Sequence, residues 1–130
     1  MPRVYLDSCI VIYLVERAQE AESFVFQPDV RIYVSDLTRL ECRVFPIRHQ
    51  NLRLLERYDA FFDLPEVALL ALNTEIFALA AQLRAEHRIK TPDAIHLAAA
   101  IQYGCEEFWT NDNRLAVSAN GRIKVVVPFA

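Results

Sequence analysis

Apolar residues along this chain fall into short blocks whose period switches repeatedly between two kinds. RVYL at 3–6 is an unbroken run with β-branched and aromatic content, typical of a parallel strand buried on both faces. RIYV at 31–34, VALLAL at 67–72, residues 106–110 and IKVVV at 123–127 read as four more strands. Between them the spacing lengthens to the helical period. A helix is predicted from about Ser8 to Arg17, capped by Asp7 or Ser8, with a second short one over about 18–26. Ser35 or Asp36 caps the next, in which Leu37, Leu40, Val44 and Phe45 form an inward stripe until Pro46 kinks or stops it. Amphipathic helices follow over 50–62 and from Asn73 or Thr74 to about His87. The clearest start lies at Thr91-Pro92-Asp93, where a hydroxyl cap, a first-turn proline and an acid precede an apolar run closed by Gly104. A short helix over about 112–118 and an Asn120-Gly121 turn lead to the last strand. Strands alternating with helices predict an α/β fold, a three-layer α/β/α sandwich with a mainly parallel sheet, and 130 residues predict one domain, 1–130.

Composition adds a partner to this picture. The apolar fraction of 54% becomes about 52% once tyrosine is moved out and glycine in, slightly above the usual soluble range of about 45–50%, which implies spare apolar surface. The longest apolar runs, such as CIVIYLV at 9–15, are too short to span a bilayer, and MPRVYLD places a carboxylate at position 7, unlike a signal peptide. The expectation is a soluble, cytoplasmic protein with no membrane association. Cys9, Cys42 and Cys105 are widely spaced without CxxC or Cys/His pairing, which fits small core residues better than disulfides or zinc.

Four acids then stand out because each sits where a strand runs out or a helix opens. Asp7 ends VYLD, Glu41 ends SDLTRLE, Asp93 lies in KTPDAIHLAAA and Asp112 in FWTNDNRL. In open parallel sheets ligands bind beyond the carboxyl ends of the strands, so these positions converge on one place. Glu41, next to the stripe of Leu37, Leu40 and Val44, is expected to face inward, where a carboxylate requires a cation or a donor. Carboxylates without a histidine or cysteine cage suit hard ions, Mg²⁺ or Mn²⁺. With one ion, Asp7 and Asp93 are the expected ligands; Glu41 and Asp112 then hold a second ion or orient water for hydrolysis of a phosphodiester. The net charge of −3 does not oppose a nucleic-acid substrate, since neutralising the four acids leaves +1 and Arg39, Arg43, Arg48, Arg53 and Arg57 crowd one segment.

Each feature also has a plain structural use. Asp7, Asp93 and Asp112 are ordinary helix caps, and Glu41 can pair with an arginine. The arginines either bind phosphates or solvate two helices. His96, three residues after Asp93 on the same helical face, reads as a hydrogen-bonded packing histidine more readily than as a ligand or base. Ser8 is a cap or a ligand contact. Phe24, Phe26, Tyr58, Phe61 and Phe62 serve either a partner surface or the core.

Taken in order, VYLDSCIVIYL, SDLTRLE, TPDAIHLAAA and FWTNDNRL resemble the PIN-domain family, and within it the VapC-like toxin ribonucleases of prokaryotic toxin–antitoxin pairs, over essentially the whole chain. The resemblance implies a Mg²⁺-dependent endoribonuclease that cleaves RNA, forms a homodimer and is silenced by a cognate antitoxin. It assigns the family acids to Asp7, Glu41, Asp93 and Asp112, the pocket hydroxyl to Thr110, and a neighbouring place to Asn111. Two other classes compete. One is a PIN-fold module that binds RNA or protein without cutting; the other is a phosphoryl-transfer receiver, which would need paired acids and a lysine near a later strand end.

Overall fold

A computed structural model of the chain describes residues 2–17 and 29–128. The helix expected over 18–26, with Phe24 and Phe26, lies outside them. Five parallel strands form one sheet in the order β3-β2-β1-β4-β5, with β1 Arg3–Leu6, β2 Arg31–Ser35, β3 Val67–Leu70, β4 Glu107–Trp109 and β5 Lys124–Val126. The helices are α1 Ser8–Glu16, α2 Asp36–Arg48, α3 Leu52–Phe62, α4 Thr74–Glu86, α5 Thr91–Gln102 and α6 Leu115–Ala119. The three-layer sandwich is therefore present, and every predicted strand among the described residues is found.

Alternation along β1 sets up two cores. Val4 and Leu6 pack on one face with Ile10, Val11 and Leu14 of α1, Cys42 of α2, and Tyr58, Phe61 and Phe62 of α3. Tyr5 points to the other face, among Ile76 and Leu83 of α4, Leu97 and Ala98 of α5, Phe108, and Leu115 of α6. Its ring stacks on Phe108 with centroids 5.6 Å apart and planes 7° from parallel. Tyr58, Phe61 and Phe62 thus belong to the core. Cys42 and Cys105 are buried and Cys9 half-buried, all three as free thiols.

Helix ends follow local chemistry. Asn73 caps α4, its side chain accepting from the Ile76 amide at 2.9 Å, and Asn51 does the same for α3 through Leu54 at 3.1 Å. Gly104, with φ +71°, closes α5 while the Cys105 amide reaches back to the Ala100 carbonyl at 3.0 Å. At the start of α5 the cap is one residue earlier than expected: Lys90 is extended, and Thr91 and Pro92 occupy the first two helical positions without a side-chain cap.

One expectation for α2 is narrowed and another overturned. Pro46 does not end the helix, which runs on to Arg48. Its missing N–H removes only one bond near the last turn, and its ring is buried in line with Thr38 and Cys42, where α1 and α3 pack. The inward stripe is accordingly Thr38, Cys42 and Pro46, while Leu40, Val44, Phe45 and Ile47 face outward, Leu40 being 59% exposed.

Candidate active site

The strand order reverses at β1, whose neighbours are β2 on one side and β4 on the other. The crevice at such a reversal opens beyond the carboxyl ends of β1 and β4, and Asp7 and Asp112 follow those two ends. Helix α2 begins directly after β2 and brings Glu41 toward it, while the amino end of α5 brings Asp93. All four acids share one electrostatic neighbourhood. Burial raises the Asp93 carboxyl above the usual range, the charge of Asp7 adds to this, His96 opposes it, and Asp112 and Glu41 push further upward.

Asp7 combines its capping role with a place in the site. Oδ1 accepts from the Ser8 amide at 2.7 Å and Oδ2 from the Thr110 hydroxyl at 2.8 Å. Thr110 in turn accepts from the Asp112 amide at 3.1 Å, so one buried hydroxyl ties the end of β1 to the turn after β4. Asn111 beside it is exposed.

Glu41 is half-buried although Leu40 and Val44 beside it face outward; its position comes from polar contacts. Oε1 accepts from Ser8 Oγ at 2.6 Å and from His96 Nε2 at 2.5 Å. Burial alone would raise this carboxyl, but the bonds from His96 and Ser8 hold it below the usual range. His96 is fully buried, and its two nitrogens have distinct duties. Because Nε2 faces a carboxylate it carries the hydrogen, which leaves Nδ1 to accept from the Tyr5 hydroxyl at 2.7 Å; that hydroxyl lies 2.8 Å from Ser35 Oγ. Burial raises the Tyr5 phenol, keeping it a donor. The packing histidine is thus also the donor that holds Glu41. Its position three residues after Asp93 was the only signal in the sequence; Tyr5, from an apolar strand, carried none.

Asp112 is engaged differently. Arg114 Nε and Nη2 approach its two oxygens at 2.8 and 2.7 Å, and the Arg114 amide adds a bond at 3.0 Å. These contacts lower the Asp112 carboxyl, the side-chain bond from Arg114 foremost. Arg114 is 85% exposed and was not anticipated as a site residue. The arginines of 39–57 are partly structural: Arg43 pairs with Asp59 at 3.0 Å, and Arg57 donates to the Val15 carbonyl. The thiols offer no nucleophile here, since burial pushes Cys9 up to about 11 and Cys42 up to about 12.

As donors for a hard cation the acids fit in kind, all being oxygen ligands, and Asp93, raised by burial first and by the charge of Asp7 second, has a carboxylate that a cation would favour. They are not drawn together in advance: among the described residues no three His, Cys, Asp or Glu side chains form a ready cluster for an ion.

This architecture, a parallel sheet with acids converging at the strand-order reversal, defines a class of acidic-site α/β domains. The PIN domain family model matches residues 4–120, and the chain belongs to that family. Among solved structures it is similar to the VapBC2 complex of Rickettsia felis bound to promoter DNA, with TM-score 0.77 and 13% identity over 95% of this chain and 97% of that one. It is also similar to a toxin–antitoxin complex from Klebsiella pneumoniae, with TM-score 0.75 and 23% identity over 97% and 98%. VapBC-1 of nontypeable Haemophilus influenzae gives TM-score 0.75 and 16% identity over 95% and 96%. No protein of curated function matches the chain in sequence. Among the described residues no helix is long and apolar enough to cross a membrane.

Proposed function

We propose that the 130 residues act as one domain, a Mg²⁺- or Mn²⁺-dependent endoribonuclease that serves as the cytoplasmic toxin of a VapBC-type toxin–antitoxin pair. The observation that carries this reading is the shared field of Asp7, Glu41, Asp93 and Asp112 at the sheet reversal of a PIN domain. Asp7 and Asp93 are the principal metal ligands; Glu41 and Asp112 complete the coordination or orient the attacking water. A bound divalent ion would polarise the scissile phosphate and lower the pKa of water. The chain's own part is to hold the carboxylates. Thr110 fixes Asp7, while His96 and Ser8 fix Glu41 by one oxygen.

A cognate antitoxin and a second copy of the chain are the proposed protein partners. The outward face of α2, with Leu40, Val44, Phe45 and Ile47, and Leu52 at 69% exposure, supports a protein-covered surface. The similar structure from Klebsiella pneumoniae is a toxin–antitoxin complex, in keeping with that partner.

The test is cleavage of total and synthetic RNA by the purified chain with Mg²⁺ or Mn²⁺. Asp7→Asn and Asp93→Asn should each abolish cleavage while the circular-dichroism spectrum and cooperative melting persist, and EDTA should stop the wild type. Wild-type cleavage by both variants, or indifference to EDTA, overturns the mechanism. The Arg114 clasp on Asp112 favours a second reading, a PIN module that binds without cutting. Calorimetry separates the two, because that module should bind Mn²⁺ no better than its Asp7→Asn variant.

A further inference from the structure

A cavity of about 610 Å³ opens beside the acids. Asp93, Asp112 and Glu86 line it, and Arg88, Lys90 and Arg114 supply its cations. Arg88 and Lys90 come from the four-residue connection between α4 and α5, which is held in place. Arg84 Nε donates to the Ile89 carbonyl at 3.0 Å, the Ile89 amide to the His87 carbonyl at 3.0 Å, and the Ala94 amide to the Lys90 carbonyl at 3.0 Å. Both cationic side chains are exposed, and among the described residues neither makes a hydrogen bond or ion pair. Several other cations are committed elsewhere: Arg3 to Glu106, Arg43 to Asp59 and Arg114 to Asp112. Lys90 lines the same cavity as Asp93 and Asp112, so the cationic wall adjoins the acids.

We propose that this cavity is the track of the single-stranded RNA backbone, with Arg88 and Lys90 binding the phosphates next to the one held at the acids. The inference rests on the ribonuclease reading and adds to it which residues hold the strand and on which side of the acids it runs. The geometry favours a polyanion with regularly spaced charges over a single anion. Two unpaired cations two residues apart share the wall of one cavity with Asp93 and Asp112, and an isolated phosphate would engage only some of these groups. Neither residue touches the carboxylates, so their contribution lies in holding substrate and not in the reaction itself.

The test measures binding and cleavage separately on the full chain. Anisotropy of a fluorescein-labelled single-stranded oligoribonucleotide is followed in Mn²⁺ across a salt series, and KM and kcat are determined on an RNA that the wild type cuts. Arg88→Ala combined with Lys90→Ala should weaken binding about 10-fold and flatten the slope of log K against log[salt] by roughly 1.4, the share of two single-strand phosphate contacts. KM should rise by a similar factor with kcat within about twofold. Arg31→Glu, an exposed position at the amino edge of the sheet, makes a comparable change in net charge far from the cavity and should leave both quantities unchanged. Unaltered binding in the double variant overturns the inference while leaving the ribonuclease reading intact, as does an equal loss in Arg31→Glu. Competition by polyglutamate as strong as that of RNA of equal charge also overturns it, in favour of an acidic protein segment as occupant. If the wild type binds RNA without cutting and the double variant loses that binding, the track stands and the catalytic reading falls. A wild type that neither binds nor cuts removes both.

Discussion

Asp7 and Glu41 lie in a buried net in which Ser8, Thr110 and His96 each donate to a chosen oxygen, whereas Asp93 and Asp112 line the open cavity. In the first pair, donors fix both carboxylates, and the bonds from His96 and Ser8 hold the Glu41 carboxyl below the usual range. In the second, Asp93 is left with burial and like charge, and Asp112 is neutralised by an arginine that water largely surrounds. One half of the site is thus preorganised. The other half holds charge that a cation or substrate must rearrange, and Arg114 can leave at small cost because solvent screens an exposed ion pair.

The largest effect expected from breaking this contrast is at the rigid half, where Asp7→Asn should remove cleavage altogether. Next comes the donor behind Glu41. His96→Leu should lower kcat by about 10–100-fold, the usual range for a group that orients a metal ligand, whereas His96→Gln, which keeps an N–H near the Nε2 position, should recover much of it. A merely structural role predicts that activity tracks melting temperature across both variants; a positioning role predicts that kcat separates from stability.

At the open half the sign reverses. A carboxyl raised on folding binds its proton more tightly in the native state, so its contribution to stability declines as pH rises through the usual carboxylate range and on through the raised value. Glu41 and Asp112, both lowered, act in the opposite direction, so the informative quantity is a difference between proteins. Without metal at neutral pH, Asp93→Asn should melt a few degrees above the wild type, and the gap should close at acid pH, where Asp93 is protonated in both states. The stabilisation of the wild type by Mn²⁺ should be lost in the variant. Equal melting at all pH values would show that neither burial of the Asp93 carboxylate nor the like charges around it cost stability.

The smallest effect concerns the clasp. Arg114→Ala should tighten Mn²⁺ binding by a few-fold, read by calorimetry, with little change in melting, because an exposed pair contributes little to the fold. Weaker Mn²⁺ binding would instead make Arg114 a support for Asp112.

Much of the architecture could be read in advance because period and caps are local. RVYL and RIYV became β1 and β2, Asn73 capped α4, and Gly104 closed α5. Helix α2 shows where that reading fails. Hydropathy selects Leu37, Leu40, Val44 and Phe45 as the inner stripe, but the face packed against α1 and α3 carries Thr38, Cys42 and Pro46. A helix that is apolar on more than one side does not reveal which side a neighbour will cover. The same limit explains His96 and Tyr5, whose partners lie 55 and 91 positions away in the chain.

The amino-acid order by itself determined the alternation of strands and helices, most of the places where they stop, and Asp7, Asp93 and Asp112 at those stops, with Glu41 falling inside α2, because these depend on backbone preferences and spacing within a few residues. The tertiary structure decided which oxygen of each acid is held, that His96 serves Glu41, that Arg114 closes on Asp112, and that Arg88 and Lys90 border the same cavity as the acids. Those relations depend on side chains brought together by packing across the sheet, and no local spacing specifies them.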